Sequence, residues 1–158
     1  MKTPVLRHSA TWGFAADDDR CSAIAAAAVD RLSGRPGAPQ KVGTVGFSFG
    51  AAFTVWVATT RPQVAASVVY YGTWVDEILA QATTPVLGHF AEDDPFEDAE
   101  TVDAFEKGLR DAGRDTHIYR YPGTGHWFAE ASKDAFRADA AELAFERTVA
   151  FLKEHLAD

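Results

Sequence analysis

Short apolar runs alternate along the chain with longer segments in which apolar residues recur every three or four positions. The short runs have the length of buried strands, whereas the longer segments have the periodicity of amphipathic helices. The predicted strands are residues 41–47, 64–71, 85–90 and 116–121, and the predicted helices are residues 17–32, 50–60, 74–81, 99–112 and 133–156. In the last helix we expect one stripe to face the core, formed by Ala141, Phe145, Val149, Leu152 and Leu156.

This alternation of strands and helices predicts an α/β fold with a mainly parallel sheet and right-handed crossovers. The run at residues 64–69 contains only one polar residue, which indicates a strand that is buried on both faces. The length of 158 residues suits a single domain over residues 1–158. Functional groups of an open parallel sheet collect at the carboxyl ends of its strands, so the loops that follow the strands are the segments to inspect.

The composition and charge of the chain mainly exclude certain classes of partner and location. Apolar residues make up 47% of the chain and charged residues 24%, which is typical of a packed domain. The net charge of −8 argues against nucleic acid and anionic membranes as partners. No apolar run approaches the roughly 20 residues that cross a bilayer, and no signal-peptide segment follows Met1. With Cys21 as the single cysteine, we expect a cytoplasmic protein.

The first predicted strand leads into Gly46-Phe47-Ser48-Phe49-Gly50, which matches the pattern G-x-S-x-G. In this pattern a tight strand-to-helix turn strains the serine backbone and exposes its hydroxyl. We expect side chains at either glycine position to collide with the neighbouring strand and helix. The Phe49 N–H then lies at a helix start, where it can face a developing oxyanion. The alternative is an ordinary junction with an idle serine.

Carboxylates follow the third predicted strand, and a histidine in a glycine-containing loop follows the fourth. A serine hydroxyl needs a base within hydrogen-bond reach, and that base needs an orienting carboxylate. We therefore predict Ser48 as nucleophile, Asp94 as acid, with Asp93 as the alternative, and His126 as base. Otherwise the carboxylates cap the next helix and the histidine is an ordinary surface residue.

Four stretches of sequence resemble the dienelactone hydrolase family. They are VGTVGFSFGAA around Ser48, VVYYG at residues 68–72, TPVLGHFAEDDPF ending at Phe96, and YPGTGHWF ending at Phe128. The resemblance implies a three-layer α/β-hydrolase-like fold, N-terminally shortened, that cleaves a small-molecule ester or lactone without a metal or organic cofactor. The family's catalytic motifs map onto Ser48, Asp94 and His126.

The sequence also differs from that family at the site. Dienelactone hydrolases proper have a cysteine nucleophile where this chain has Ser48. Cys21 lies elsewhere in the sequence and is not a substitute for it. Members that cleave dienelactone carry an arginine four residues after the catalytic histidine, to bind the substrate carboxylate. Here that position is Glu130, four residues after His126, which implies that an anionic substrate is repelled.

The family also has further strands before the nucleophile strand, and one of their connections supplies a second oxyanion N–H. Without them, the strand at residues 41–47 is expected to be an exposed edge that is prone to pairing. Three alternatives remain open: residues 4–12 cover the edge, a second copy covers it as a homodimer, or the chain is a truncated gene product.

Aromatic residues beside the strands are candidates for an acyl pocket or for simple core packing: Phe47, Tyr71, Trp74 and Trp127. Three functions fit the sequence. The first is a serine hydrolase that forms an acyl-enzyme on Ser48. The second is a catalytically impaired, truncated hydrolase that acts as a pairing or binding module. The third is an unrelated doubly wound ligand-binding domain.

Overall fold

The computed structural model describes residues 18–38, 40–74 and 77–157. In chain order its elements are α1 (Asp18–Ser33), β1 (Val42–Phe47), α2 (Phe49–Thr60), β2 (Val64–Tyr70), a 3₁₀ helix (Glu77–Gln81), β3 (Val86–Asp93), α3 (Ala99–Asp111), β4 (Thr116–Gly125) and α4 (Ala138–Leu156). The strands pair in parallel in the order β1-β2-β3-β4. This confirms the predicted parallel α/β sheet. The segment at residues 4–12, proposed as an edge cover, lies outside the described residues.

Helices cover both faces of the sheet, which gives the three layers implied by the family resemblance. One apolar cluster joins the sheet to α1, α2 and α3, and a second joins it to α4. Neighbouring residues of β2 divide between them: Val69 belongs to the first cluster, and Val68 and Tyr70 to the second. The division follows from the pleat, because successive side chains of a strand point to opposite faces.

Two of the predicted helices differ from the structure. The segment predicted as an α-helix over residues 74–81 contains, in its described part, the 3₁₀ helix Glu77–Gln81. The last helix begins at Ala138 rather than at residue 133, since the preceding residues form turns that close back on the histidine-bearing loop. That closure includes a hydrogen bond from the Arg137 N–H to the Phe128 carbonyl, 2.9 Å long.

The predicted apolar stripe of α4 is confirmed only in part: Leu152 packs against the second apolar cluster, but the most buried face of the helix is shifted from the predicted one. Phe145 is 65% exposed, and the buried residues of the helix are Ala144, Thr148 and Phe151. Thr148 turns inward because its hydroxyl hydrogen-bonds with the Tyr70 hydroxyl at 2.8 Å. A buried hydroxyl needs such a partner, and Thr148 lies on the same buried face as Ala144 and Phe151.

The nucleophile strand lies at the edge of the described sheet. β1 pairs with β2 on one side, and Val45 and Phe47 are 42% and 44% exposed. An apolar groove of about 320 Å³ runs beside it, between α1 and α2. Within residues 18–38, 40–74 and 77–157, no helix combines the length and apolar character that a bilayer crossing needs. The cytoplasmic location stays a prediction.

Candidate active site

Ser48 lies in the turn between β1 and α2, in a backbone conformation that a serine rarely adopts. Its φ is 50° and its ψ is −124°, and α2 begins at the next residue, Phe49. Its N–H donates to the Tyr70 carbonyl at 2.9 Å, which holds the turn against β2. Strain of this kind persists only where surrounding contacts impose it. The tight strand-to-helix turn predicted from the motif is therefore present.

The glycines of the motif have unequal roles. A Cβ at Gly46 would lie 2.2 Å from the Thr54 hydroxyl, so the predicted collision exists there. At Gly50 the predicted collision is not found, because a Cβ would meet none of the described residues within 4 Å. That position faces the groove beside β1. Gly72, which the motif does not include, is also tightly packed: a Cβ there would lie 2.4 Å from the Ser48 carbonyl oxygen.

The three side chains predicted for proton transfer form an unbroken hydrogen-bonded relay. Ser48 Oγ lies 2.9 Å from His126 Nε2, and His126 Nδ1 lies 2.8 Å from Asp94 Oδ2. An ionised carboxylate can only accept, so Nδ1 carries the hydrogen and Nε2 is left to accept from the serine hydroxyl. The strands bring these groups together because they run parallel and end at the same edge of the sheet.

The choice between the two aspartates is decided by the turn after β3. Asp94 has a side chain that is only 1% exposed, and its second oxygen, Oδ1, accepts the N–H groups of Phe96 at 2.9 Å and Glu97 at 3.2 Å. Asp93 is exposed at the end of β3. The structure thus brings Asp94, and not Asp93, to His126.

Aromatic rings enclose the imidazole of His126. The ring centroids of Trp127, Tyr71 and Phe96 lie 4.7, 4.9 and 4.9 Å from its own. These contacts leave the His126 side chain 2% exposed and limit its rotation. Phe96 was not identified from the sequence as a neighbour of His126. The one local signal for this contact is its position two residues after Asp94.

The predicted pocket aromatics occupy different environments. Phe47 is exposed and stacks on Tyr70 with 4.6 Å between centroids, whereas Trp127 is half-buried with the Lys133 ammonium 5.0 Å from its ring centre. Trp74 is 6% exposed and belongs to the apolar cluster shared with α2 and α3, as the core-packing alternative expects. Tyr71 is fully buried beside His126.

Tyr71 connects the base to Glu130. Its hydroxyl donates to Glu130 Oε1 at 2.9 Å. Burial raises the pKa of Tyr71, and the hydrogen bond to Glu130 raises it further, so the phenol remains a donor. The carboxylate of Glu130 is thereby held on the side of the site where Tyr71 contacts His126.

Glu97 is a buried carboxyl group that sequence reasoning missed. It is 5% exposed, and it accepts the Thr73 N–H at 3.1 Å on one oxygen and the Thr73 hydroxyl at 2.7 Å on the other. Burial raises its pKa; the bonds from Thr73 lower it in part, and the nearby charge of Asp94 raises it. A glutamate four residues after a strand is ordinary in sequence, and only the fold shows that it is buried.

The described part of the chain has no group of three or more His, Cys, Asp or Glu side chains arranged to hold a metal ion. The Phe49 N–H is the first amide of α2 and lies at the positive end of that helix, next to Ser48. The site therefore brings together a serine hydroxyl, an imidazole and a carboxylate, next to a main-chain amide at a helix start.

Comparison with known proteins gives consistent matches. The model of the dienelactone hydrolase family matches residues 7–156. The chain is 32% identical over 129 residues to a carboxymethylenebutenolidase of Pseudomonas putida, covering 80% of this chain and 54% of that protein. It is 34% identical over 143 residues to Protein usf of Aquifex pyrophilus, covering 87% and 62%.

Solved structures match in fold. A dienelactone hydrolase-like promiscuous phosphotriesterase from metagenomic libraries superposes with a TM-score of 0.79 at 23% identity, over 92% of this chain and 65% of that one. Thermogutta terrifontis esterase 2 gives a TM-score of 0.67 at 18% identity, over 87% and 67%. The chain spans about half the length of the curated relatives it matches, from 40% to 62%.

Proposed function

The chain belongs to the dienelactone hydrolase family, and we propose that it hydrolyses a small-molecule carboxylic ester or lactone through an acyl-enzyme on Ser48. The observation that carries the proposal is the relay in which Ser48, His126 and Asp94 are joined by hydrogen bonds of 2.9 and 2.8 Å. Distances of this length are what direct proton transfer requires.

In the proposed reaction, His126 Nε2 removes the hydroxyl proton as Ser48 Oγ attacks the carbonyl carbon. The tetrahedral intermediate collapses, and the imidazolium gives its proton to the leaving alkoxide. Water then attacks the acyl group, with His126 again as base, and the acid and free Ser48 are released. Asp94 stays ionised and holds Nδ1–H, which stabilises the imidazolium that forms in both halves.

The amide of Phe49 is the proposed donor to the oxyanion. It lies at the start of α2, so the helix dipole adds to its partial positive charge. Loss of one such donor typically lowers the rate about 10²–10³-fold, so its placement next to Ser48 matters for turnover.

The carboxylate of Glu130 supports a preference for neutral over anionic substrates. It is tied to Tyr71, whose ring lies 4.9 Å from the catalytic imidazole. A substrate carboxylate in this region would meet a like charge in a partly desolvated site. Phe47 and Trp127 remain the proposed apolar lining, and Trp74 would act only through the core behind it.

Active-site labelling tests the proposal directly. A fluorophosphonate should modify folded protein with a stoichiometry near one, and peptide mass spectrometry should place the adduct on Ser48. Ser48→Ala should abolish both labelling and p-nitrophenyl acetate turnover, while Ser132→Ala, at an exposed serine, should keep them. Folded wild-type protein that neither labels nor turns over would end the proposal.

The alternative function, a module that pairs through its sheet edge, is favoured by one observation. Val45 and Phe47 are about half exposed on β1, at the free edge of the described sheet. The proposed occupant is a second copy of the chain, since an edge strand can pair with its own symmetry mate. Light scattering should then report a dimer that Val45→Lys dissociates and that Phe145→Lys, on the exposed face of α4, does not. A monomer with esterase turnover would contradict this alternative.

A further inference from the structure

Glu97 has a buried carboxylate that is hydrogen-bonded to one residue, an arrangement that filling the core does not require. Its carboxylate is buried at 5% exposure, yet it takes no part in the proton relay. Both of its oxygens accept hydrogen bonds from a single residue, Thr73, at 3.1 Å from the N–H and 2.7 Å from the hydroxyl. Removing a carboxylate from water is costly even when it is hydrogen-bonded, and an apolar side chain would fill such a space without that cost.

Thr73 belongs to a short segment, residues 70–73, that supports the nucleophile turn. The Tyr70 carbonyl accepts the Ser48 N–H at 2.9 Å. Gly72 lies so close to the Ser48 carbonyl that a Cβ there would be 2.4 Å from its oxygen. A displacement of this segment must therefore move the strained turn that aims the Ser48 hydroxyl.

The backbone of Glu97 contacts the opposite end of the relay. Its N–H donates to Asp94 Oδ1 at 3.2 Å, while Oδ2 of the same carboxylate binds His126. One residue thus holds the acid through its main chain and the support segment of the nucleophile through its side chain. Its two attachments link the two ends of the relay by a path that does not pass through the imidazole.

We propose that Glu97 is a positioning residue: by clamping Thr73 to the Asp94 turn, it sets the distance between Ser48 and the Asp94–His126 pair. This inference rests on the proposed function, because it assigns Glu97 a role in the same reaction. Reaction rates are sensitive to such placement, and a misplacement of about 1 Å can lower a rate about 10²-fold.

Variants at both ends of the clamp test the proposal. Glu97→Gln removes the carboxylate that accepts the charge-assisted bond from the Thr73 hydroxyl, so that only a weaker neutral bond with the amide can replace it, and Thr73→Val removes the hydroxyl itself. We expect each to lower kcat about tenfold, equivalent to about 1.4 kcal/mol, with KM changed less than about twofold. Thr73→Ser keeps the donor and should retain the wild-type kcat. Glu100→Gln, at an exposed carboxylate in the first turn of α3, is the matched control.

The value of kcat should be calculated from the concentration of Ser48 that reacts with fluorophosphonate. Unfolded protein then does not affect the comparison between variants. Since the two variants remove the same link, the double variant Glu97→Gln/Thr73→Val should lose little more than either single variant. Full additivity, or a kcat of Glu97→Gln equal to that of Glu100→Gln, would overturn the inference.

A second readout separates this inference from the proposed function. The His126 Nδ1 proton in its charge-assisted bond to Asp94 should give a low-field proton NMR signal, which His126→Gln removes. We expect the signal in wild type and Thr73→Ser, and its broadening by solvent exchange in Glu97→Gln and Thr73→Val. If wild type has the signal without turnover, the proposed function fails while the clamp is still judged by the broadening. An unchanged signal in Glu97→Gln counts against the clamp whatever the activity.

Discussion

Tyr71 donates its hydroxyl hydrogen to Glu130 over 2.9 Å while its ring lies 4.9 Å from the ring of His126. A fully buried tyrosine thus holds a carboxylate near the base of the proposed reaction. The carboxylate of Glu130 is thereby bound to the same tyrosine whose ring packs against the imidazole.

Removal of that charge should change the substrate preference. In Glu130→Gln we expect kcat/KM for an ester that carries a carboxylate to rise about fivefold, corresponding to relief of about 1 kcal/mol of like-charge repulsion. The value for a neutral ester of equal size should stay within about twofold, since the amide can still accept from Tyr71. Paired kinetics on the two esters measure the effect, and Glu142→Gln, an exposed carboxylate of α4, controls for net charge. An equal change on both esters would mean that Glu130 does not select by charge.

The two adjacent aspartates should differ sharply in their effect on turnover. Asp94→Asn replaces the acceptor that fixes the imidazole tautomer, so we expect kcat to fall about 10³–10⁴-fold. Asp93→Asn, one residue earlier and exposed, should change kcat less than about twofold. Steady-state kinetics on both variants, with circular dichroism to check folding, provide the comparison. Equal losses would show that the acid has been assigned wrongly.

The two glycines of the nucleophile motif should respond in opposite ways to alanine. Gly46→Ala brings a Cβ to 2.2 Å from the Thr54 hydroxyl and 2.5 Å from the Gly50 carbonyl, so we expect it to destabilise the fold by about 2 kcal/mol or more and to stop Ser48 labelling. Gly50→Ala meets none of the described residues within 4 Å and lies in α2, where alanine is favoured over glycine by up to about 1 kcal/mol.

Urea unfolding measures the free energy of unfolding of the two variants, and fluorophosphonate labelling measures the reactivity of Ser48. Loss of stability in Gly50→Ala would indicate that something fills the groove beside it.

Stability should fall on acidification because of His89. This residue is fully buried, with Nδ1 2.8 Å from the Tyr121 hydroxyl and Nε2 3.0 Å from the Thr148 hydroxyl. Burial, and to a lesser extent the charge of Arg147, lowers the pKa of His89 from 6.5 to about 3. Between those values the unfolded chain binds a proton that the folded protein does not, so the free energy of unfolding should decrease by about 1.4 kcal/mol for each pH unit lost.

Urea unfolding at several pH values between 7 and 4 measures this slope. His89→Gln, which cannot titrate, should show a shallower dependence, whereas His117→Gln, at a half-exposed histidine of β4, should keep the wild-type dependence. Parallel slopes in wild type and His89→Gln would show that another group controls acid stability.

Much of the fold and of the relay could be predicted because the necessary signals are local. The order of strands and helices follows from short stretches of hydrophobic pattern, and Ser48 and His126 stand in loops directly after strands. Parallel pairing places the ends of those strands at one rim of the sheet, and the loop after β4 reaches past β3 and β2 to bring His126 to Ser48. The phase of α4 was missed, because an apolar pattern cannot foresee that Thr148 turns inward to bind Tyr70.

The sequence by itself determined the layered α/β arrangement, the succession of strands and helices along the chain, and the loops that carry the candidate serine, aspartates and histidine. Only the tertiary structure decided that Asp94 rather than Asp93 reaches His126, that Gly72 rather than Gly50 packs tightly against the nucleophile turn, and that Glu97 is buried against Thr73. The physical reason is the same each time. These outcomes depend on close contacts between segments 24 to 32 residues apart along the chain, which no local pattern records.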